Sequence, residues 1–264
     1  MARCAVVTAS DSGIGKATAV ALARDGLDVG ITWHDDEDGA NGTAEEVRAL
    51  GRRAEVRRLD LEQLPGAVDV VDELAEALGG QLWAFVSNAG GGNGGPFLEL
   101  AYDDWRTRMR VNLDGAFLGM QRAARRMVAG GAGGRIVAVT SVHEHAPRIG
   151  ASDYVTAKHG LGGLVKNAAL ELAQHGITVN AVAPGEIATP LTGQEDVDPR
   201  TSPRPGVPLG RVGSAPEMAA VVAFLCREEA SYVTGASVVA DGGMLLMGPH
   251  GGSDLPDTSW RESS

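Results

Sequence analysis

Thr8-Ala9-Ser10-Asp11-Ser12-Gly13-Ile14-Gly15 closes the apolar run Cys4 to Thr8 and leads directly into Ile14 to Asp25, where apolar residues recur at three- and four-residue spacing. A short apolar strand, a glycine turn and an amphipathic helix make the first half of a βαβ unit. Glycines here let the backbone approach a pyrophosphate, whose charge the N–H groups and dipole at a helix N-terminus stabilise. Ser10, Ser12, Gly13, Ile14 and Gly15 are therefore candidate cofactor contacts. A Gly-x-Gly turn alone fits an ordinary strand-to-helix connection equally well.

Working outward, the same alternation continues. Val29 to Trp33, Ala54 to Leu59, Leu82 to Val86, Arg135 to Thr140, Thr178 to Val182 and Ser237 to Ala240 read as strands, and Ala44 to Leu50, Asp103 to Val128 and Tyr154 to Gln174 as crossover helices. Right-handed crossovers lay these into an α/β, Rossmann-like, doubly wound parallel seven-stranded sheet with helices on both faces, its ligand edge at the strand C-termini. The chain of 264 residues has no Ser/Pro-rich linker, so a single domain over residues 1–247 is expected. Five prolines between Thr189 and Ala215 rule out a crossover helix and predict a long loop or lid over 189–215. Residues 248–264, rich in Gly, Pro, Ser and Asp, read as a loosely ordered C-terminal tail.

Composition narrows the function classes. A net charge of −11 gives the long-range field the wrong sign for phosphate backbones or anionic lipid, so neither nucleic acid nor membrane is an expected partner. No stretch approaches the roughly 20 apolar residues that span a bilayer. The two cysteines, Cys4 and Cys226, are far apart, and the apolar stretch Cys4 to Val7 is too short for the core of a signal peptide. A cytoplasmic protein with free thiols is expected.

Two further elements shape a cofactor trough. Asn88-Ala89-Gly90 ends the fourth strand, and the run to Gly95 has few side chains to block a groove, although such a run also fits a surface loop. The second strand ends in Thr32-Trp33-His34, without the carboxylate that commonly binds the NAD ribose. His34 can meet a 2′-phosphate, so NADP(H) is favoured and NAD(H) remains possible; Asp35, Asp36, Glu37 and Asp38 weigh against the phosphate.

Tyr154 and Lys158 stand at i and i+4 on one helix face. A phenol has an ordinary pKa of about 10, and a fixed ammonium nearby favours the phenolate, which turns it into a proton shuttle. Ser141, thirteen residues before Tyr154 at the end of the fifth strand, can polarise a substrate carbonyl. Asn112 lies inside a helix, where a buried amide needs partners; bridging a water that relays protons from Lys158 is one use, kinking the helix is another. His143-Glu144-His145 lacks a third well-spaced ligand, so no metal is expected.

With these residues in place, the sequence resembles the short-chain dehydrogenase/reductase family over nearly its whole length. Thr8 to Gly15 matches the family's Thr-Gly-x-x-x-Gly-x-Gly turn except that Ala9 replaces the first Gly, and Asn88 to Gly90 matches its Asn-Ala-Gly motif. Asn112, Ser141, Tyr154 and Lys158 match its catalytic tetrad, and Pro184 to Thr189 matches Pro-Gly-x-Ile-x-Thr. The resemblance implies that Asp60 and Leu61 flank adenine, that Pro184, Gly185 and Ile187 contact nicotinamide and Thr189 its carboxamide, and that Tyr154 and Lys158 also bind the cofactor. It implies a homotetramer packed through Asp103 to Val128 and Tyr154 to Gln174.

The expected activity is NAD(P)(H)-dependent hydride transfer on a small ketone or secondary alcohol: a hydroxyketone, diketone, polyol or sugar. A similar Ser-Val-His-Glu stretch in the family's glucose dehydrogenases makes His143 and Glu144 candidate substrate contacts, with two solvent-facing loop residues as the plain alternative. Reduction of a 3-oxoacyl or polyketide-like substrate competes with this, and an arginine patch from Arg106, Arg108, Arg110, Arg122, Arg125 and Arg126 would favour it. A non-catalytic dinucleotide sensor is the reading from another class; it has no use for an intact tetrad.

Overall fold

Runs of Val, Ala and Ile that alternate side to side can be buried on both faces only if helices cover the sheet twice. A computed structural model describes residues 2–92, 94–194 and 197–247, so the tail expected over 248–264 lies outside the described residues. Its strands are β1 (Arg3–Val7), β2 (Asp28–Trp33), β3 (Ala54–Arg58), β4 (Gln81–Ser87), β5 (Gly134–Val139) and β6 (Ile177–Pro184). The two-residue β7 (Ile187–Ala188) and β8 (Gly213–Ser214) pair with each other, and β9 (Ser237–Ala240) follows. The main sheet is parallel throughout, in the order β3-β2-β1-β4-β5-β6-β9. All seven strands stand where the sequence puts them.

The helices are α1 (Gly13–Arg24), α2 (Glu37–Ala49), α3 (Val70–Leu78), α4 (Tyr102–Met109), α5 (Gly115–Gly130), α6 (Ser152–Leu172) and α7 (Ala215–Cys226). One core joins Val6, Leu74, Phe85, Met127, Ile136 and Leu161; the other, across the sheet, joins Val7, Leu22, Ile31, Val47 and Val222. Strand order reverses between β1 and β4, and the crevice beyond their C-terminal ends is where such a sheet binds ligands.

Two expectations are refined. The long helix from Asp103 is interrupted by a π-helical turn, Arg110–Asp114, between α4 and α5. Among the described residues, 189–215 carry two 3-10 turns, Pro190–Thr192 and Pro199–Thr201, each opened by a proline, and an antiparallel bridge between Pro203 and Arg211 before β8. Cys4 and Cys226 are free and buried, and burial pushes their thiols up to about 11 and about 12. They serve packing rather than redox chemistry.

Candidate active site

The glycine-rich turn is shaped by close approach. Ala9 adopts φ 48° and Gly13 φ 53°, a left-handed conformation that L side chains disfavour. A Cβ on Gly15 would overlap the Ala9 carbonyl oxygen and come within 2.6 Å of Asn88 Nδ2. The N-cap of α1, Ser12, makes no side-chain cap, and the first turn carries no acid, so the helix N-terminus meets an anion with its N–H groups unshielded. A dinucleotide pyrophosphate fits this turn.

Side chains lock the turn from both neighbouring strands. Thr8 Oγ1 accepts from the Asn88 and Ala89 N–H groups, while Asn88 Nδ2 donates to the Thr8 and Ala9 carbonyls at 3.1 and 2.9 Å. Ser10 requires a correction. Its fully buried hydroxyl donates to the Val7 carbonyl and accepts from Thr32 N–H, which staples β1 to β2 and spends the one proton it could offer a phosphate.

At the catalytic end, Lys158 is buried and its Nζ donates to the Val139 carbonyl at 3.1 Å. It stands 5.5 Å from the centre of the Tyr154 ring. Burial raises the Tyr154 phenol above its ordinary value, opposed by a hydrogen bond with Ser141 and the charge of Arg148. The depression expected from Lys158 does not emerge, because its ammonium is turned to the Val139 carbonyl and is itself pulled down to about 8 by burial. His143 stands edge-on to Tyr154 with ring centres 6.1 Å apart, held by its Nδ1 contact with the Ala146 carbonyl at 2.9 Å. Ser141 Oγ accepts from His143 N–H at 3.2 Å, which aims its hydroxyl at the Tyr154 phenol, the place a substrate oxygen would share.

Asn112 sits at the centre of the π turn, fully buried. A π turn shifts its bonds by one residue and releases a carbonyl from the helical ladder; Asn112 Nδ2 takes the Arg108 carbonyl at 3.1 Å. The same amide pairs with Gly91 in both directions, accepting its N–H at 2.9 Å and donating to its carbonyl at 3.0 Å. Gly90 lies between two of these groups: a Cβ there would meet Asn112 Oδ1 at 2.7 Å and Lys158 Nζ at 3.3 Å. Asn112 thus fixes the β4 loop against Lys158, leaving Oδ1 its second lone pair for a water.

The remaining candidates line the same edge. Pro184 and Ile187 are buried at and beyond the end of β6, and Gly185 approaches Asp241 so closely that a Cβ would come within 2.8 Å of its Cα. The Thr189 methyl faces Gly13. Asp60 caps the 3-10 turn Leu61–Gln63 through Glu62 N–H, and its Oδ1 lies 3.5 Å from His34 Nε2, while His34 Nδ1 meets Asp35 at 2.8 Å. Glu144 is a second correction. Its buried carboxylate bonds Thr140 and Ser237 and lies against Gly162 of α6, so it is held inside the fold and does not face substrate.

A family model described as enoyl-(acyl carrier protein) reductase matches residues 8–245. The chain is 52% identical to the uncharacterized oxidoreductase YohF of Escherichia coli K12, covering 94% of this chain and 98% of that one. The crystal structure of acetoin dehydrogenase from Enterobacter cloacae superposes with a TM-score of 0.90 at 52% identity, over 95% of this chain and 98% of that one. The chain belongs to the short-chain dehydrogenase/reductase family. Glucose 1-dehydrogenase 2 of Bacillus subtilis is 36% identical over 92% of this chain and 95% of its own length. The family places this protein among NAD(P)-dependent oxidoreductases that act on CH–OH groups and ketones of small molecules.

Several residues of this dehydrogenase/reductase escape a reading by motif. Arg58 donates to the His34 carbonyl at 3.1 Å and lies over the Trp33 ring, adding a cation at the end of β2. Arg108 stands 3.9 Å from buried Asp153, beside Tyr154. Gly162 has a signal that could have been followed, since a glycine inside a helix is unfavourable unless something packs on it. No helix among the described residues is long and apolar enough to cross a membrane, and among them no cluster of three or more His, Cys, Asp or Glu could hold a metal ion.

Proposed function

We propose that this enzyme interconverts small vicinal hydroxyketones or diketones with the corresponding alcohols, in preference using NADP(H). The observation that carries the reading is the convergence of Ser141 and Lys158 on Tyr154, beside the glycine-rich turn. When bound, the nicotinamide supplies or accepts the hydride. Ser141 donates a hydrogen bond to the substrate carbonyl oxygen, and the Tyr154 phenol protonates that oxygen as it becomes an alkoxide. Oxidation reverses the proton's path. Lys158 would hold the nicotinamide ribose of a bound cofactor and return a proton toward the tyrosine, and Asn112 keeps the β4 loop at the required distance.

Small substrates are favoured by the closeness of the loops that follow β4 and β5. A Cβ on Gly94 would overlap the Gly150 carbonyl oxygen, and Leu191 lies against Gly91. The likeness to acetoin dehydrogenase from Enterobacter cloacae supports the same class, and His143 at the face of Tyr154 is the proposed contact for a second oxygen. Four of the six arginines that would serve a carrier-bound 3-oxoacyl substrate are engaged: Arg122 with Asp69 and Asp72, Arg126 with Asp72 and Glu76, Arg110 with the Glu62 carbonyl and Arg108 with Asp153. His34 and Arg58 support a 2′-phosphate, against Asp35 and Asp60. Residues 1–247 form the oxidoreductase domain, with 189–215 as its lid. Phe117 on α5 and Leu170 on α6, both exposed in the single chain, support a homotetramer packed through these helices; the mass in solution tests it.

The deciding experiment is oxidation of NADPH and NADH against diacetyl, acetoin, a sugar lactone and a 3-oxoacyl ester. Diacetyl or acetoin should give the highest kcat/KM, with NADPH ahead of NADH. A higher value for the 3-oxoacyl ester would transfer the chain to carrier-type reduction, and nucleotide binding without turnover on any carbonyl would leave a sensor.

A further inference from the structure

Glu144 is a buried acid for which the reaction above has no use. Its Oε2 accepts from Thr140 Oγ1 at 2.7 Å and from Ser237 Oγ at 3.0 Å. His145 Nε2 stands 3.1 Å from Ser237 Oγ and 3.8 Å from the carboxylate. The other oxygen presses on α6, where a Cβ on Gly162 would overlap it. Burying a carboxylate is costly unless its lone pairs are met and an opposite charge lies close.

No ion pair joins the carboxylate to Lys158 directly, yet its charge acts on that lysine from the same turn of the fold. Lys158 Nζ is bound to the carbonyl of Val139 and Glu144 to the hydroxyl of Thr140, consecutive residues at the end of β5. On α6, Lys158 and the Gly162 that receives Glu144 are one turn apart. Other elements packed on α6 bring little charge to this point. β6 carries no ionisable side chain; the π turn carries half-buried Asp114 besides neutral Asn112 and an Arg110 turned to the Glu62 carbonyl; and α4 carries Arg108, which stands by Asp153, with Asp103, Asp104 and Arg106 exposed to solvent. The turn after β5 adds His143 and His145 beside Glu144, and α6 itself adds Tyr154, buried Asp153 and exposed His159.

We propose that Glu144 is a positioning residue, an internal counter-charge that keeps Lys158 as an ammonium and is admitted to the fold by Gly162, Thr140 and Ser237. The inference rests on the proposed reaction only for the part Lys158 plays in it. Burial alone pulls Lys158 down, and the charge of Glu144 is what opposes it. Without that charge Lys158 releases its proton at lower pH, so ketone reduction, which draws protons through it, loses turnover earlier as pH rises.

The test is a lysine titration beside a pH profile, for Glu144→Gln, Glu144→Asp and Gly162→Ala. The chain has three lysines, Lys16, Lys158 and Lys166, so the 13Cε signal of Lys158 can be assigned and titrated by NMR without substrate. Glu144→Gln keeps the shape and should move the Lys158 midpoint down by about one pH unit, with the alkaline limb of kcat/KM moving equally. Glu144→Asp should restore part of the shift, and Gly162→Ala, which displaces the carboxylate but keeps it, should reproduce part of it. A Glu144→Gln protein that melts earlier but titrates Lys158 at the wild-type pH would overturn the proposal. Should that variant not fold, an unmoved Lys158 midpoint in Gly162→Ala would overturn it equally. A wild-type protein without turnover on any carbonyl would defeat the reaction and leave the NMR comparison intact.

Discussion

Tyr154→Phe should lower ketone turnover by roughly 10²- to 10⁴-fold, the range that a positioned general acid contributes. The change removes one oxygen and keeps the ring, so the edge-on packing with His143 and the neighbouring Lys158 survive. Nucleotide affinity, measured by fluorescence titration of the same preparation, should change by only a few-fold. A kcat within about tenfold of wild type would take the proton-transfer role away from Tyr154. The pH dependence has a definite sign as well. Burial holds the phenol above its ordinary value, so the donor form needed for reduction persists through neutrality, whereas alcohol oxidation needs the phenolate and should speed up as pH rises.

Much of this site is legible in the sequence because its chemistry is local. Tyr154 and Lys158 share a helix face by spacing alone, Ser141 ends a strand, and Gly13 and Gly15 mark a turn that a side chain would block. What is illegible depends on partners distant in the chain. Glu144 follows Ser141 at a distance suited to substrate, yet Ser237 and Gly162 fold it inward. Ser10 stands in the middle of the dinucleotide motif but bonds Thr32 on the next strand. The π turn around Asn112 has the helical periodicity of its neighbours, and only the amide's bonds to Gly91 and the Arg108 carbonyl distinguish it.

Gly15→Ala should weaken nucleotide binding by more than about tenfold, equivalent to roughly 1.4 kcal/mol. The added methyl meets the Ala9 carbonyl and Asn88 Nδ2, and neither can retreat cheaply. Asn88 Nδ2 is bonded to the Thr8 and Ala9 carbonyls, while Ala9 is tied to Thr32 Oγ1 through its N–H at 3.0 Å. The turn must open, at a cost of about 1–3 kcal/mol typical of overpacked positions, and with it the N–H groups aimed at the pyrophosphate. Ala9→Gly is the matched opposite. Ala9 holds φ 48°, so glycine relieves backbone strain without filling space and should stabilise the fold by up to about 1 kcal/mol, with nucleotide affinity kept. Nucleotide titrations and melting curves on both variants separate shape from strain. If Gly15→Ala bound nucleotide as tightly as wild type, the pyrophosphate would have to lie elsewhere, because a turn that accepts that methyl without loss is not the one that holds the phosphate.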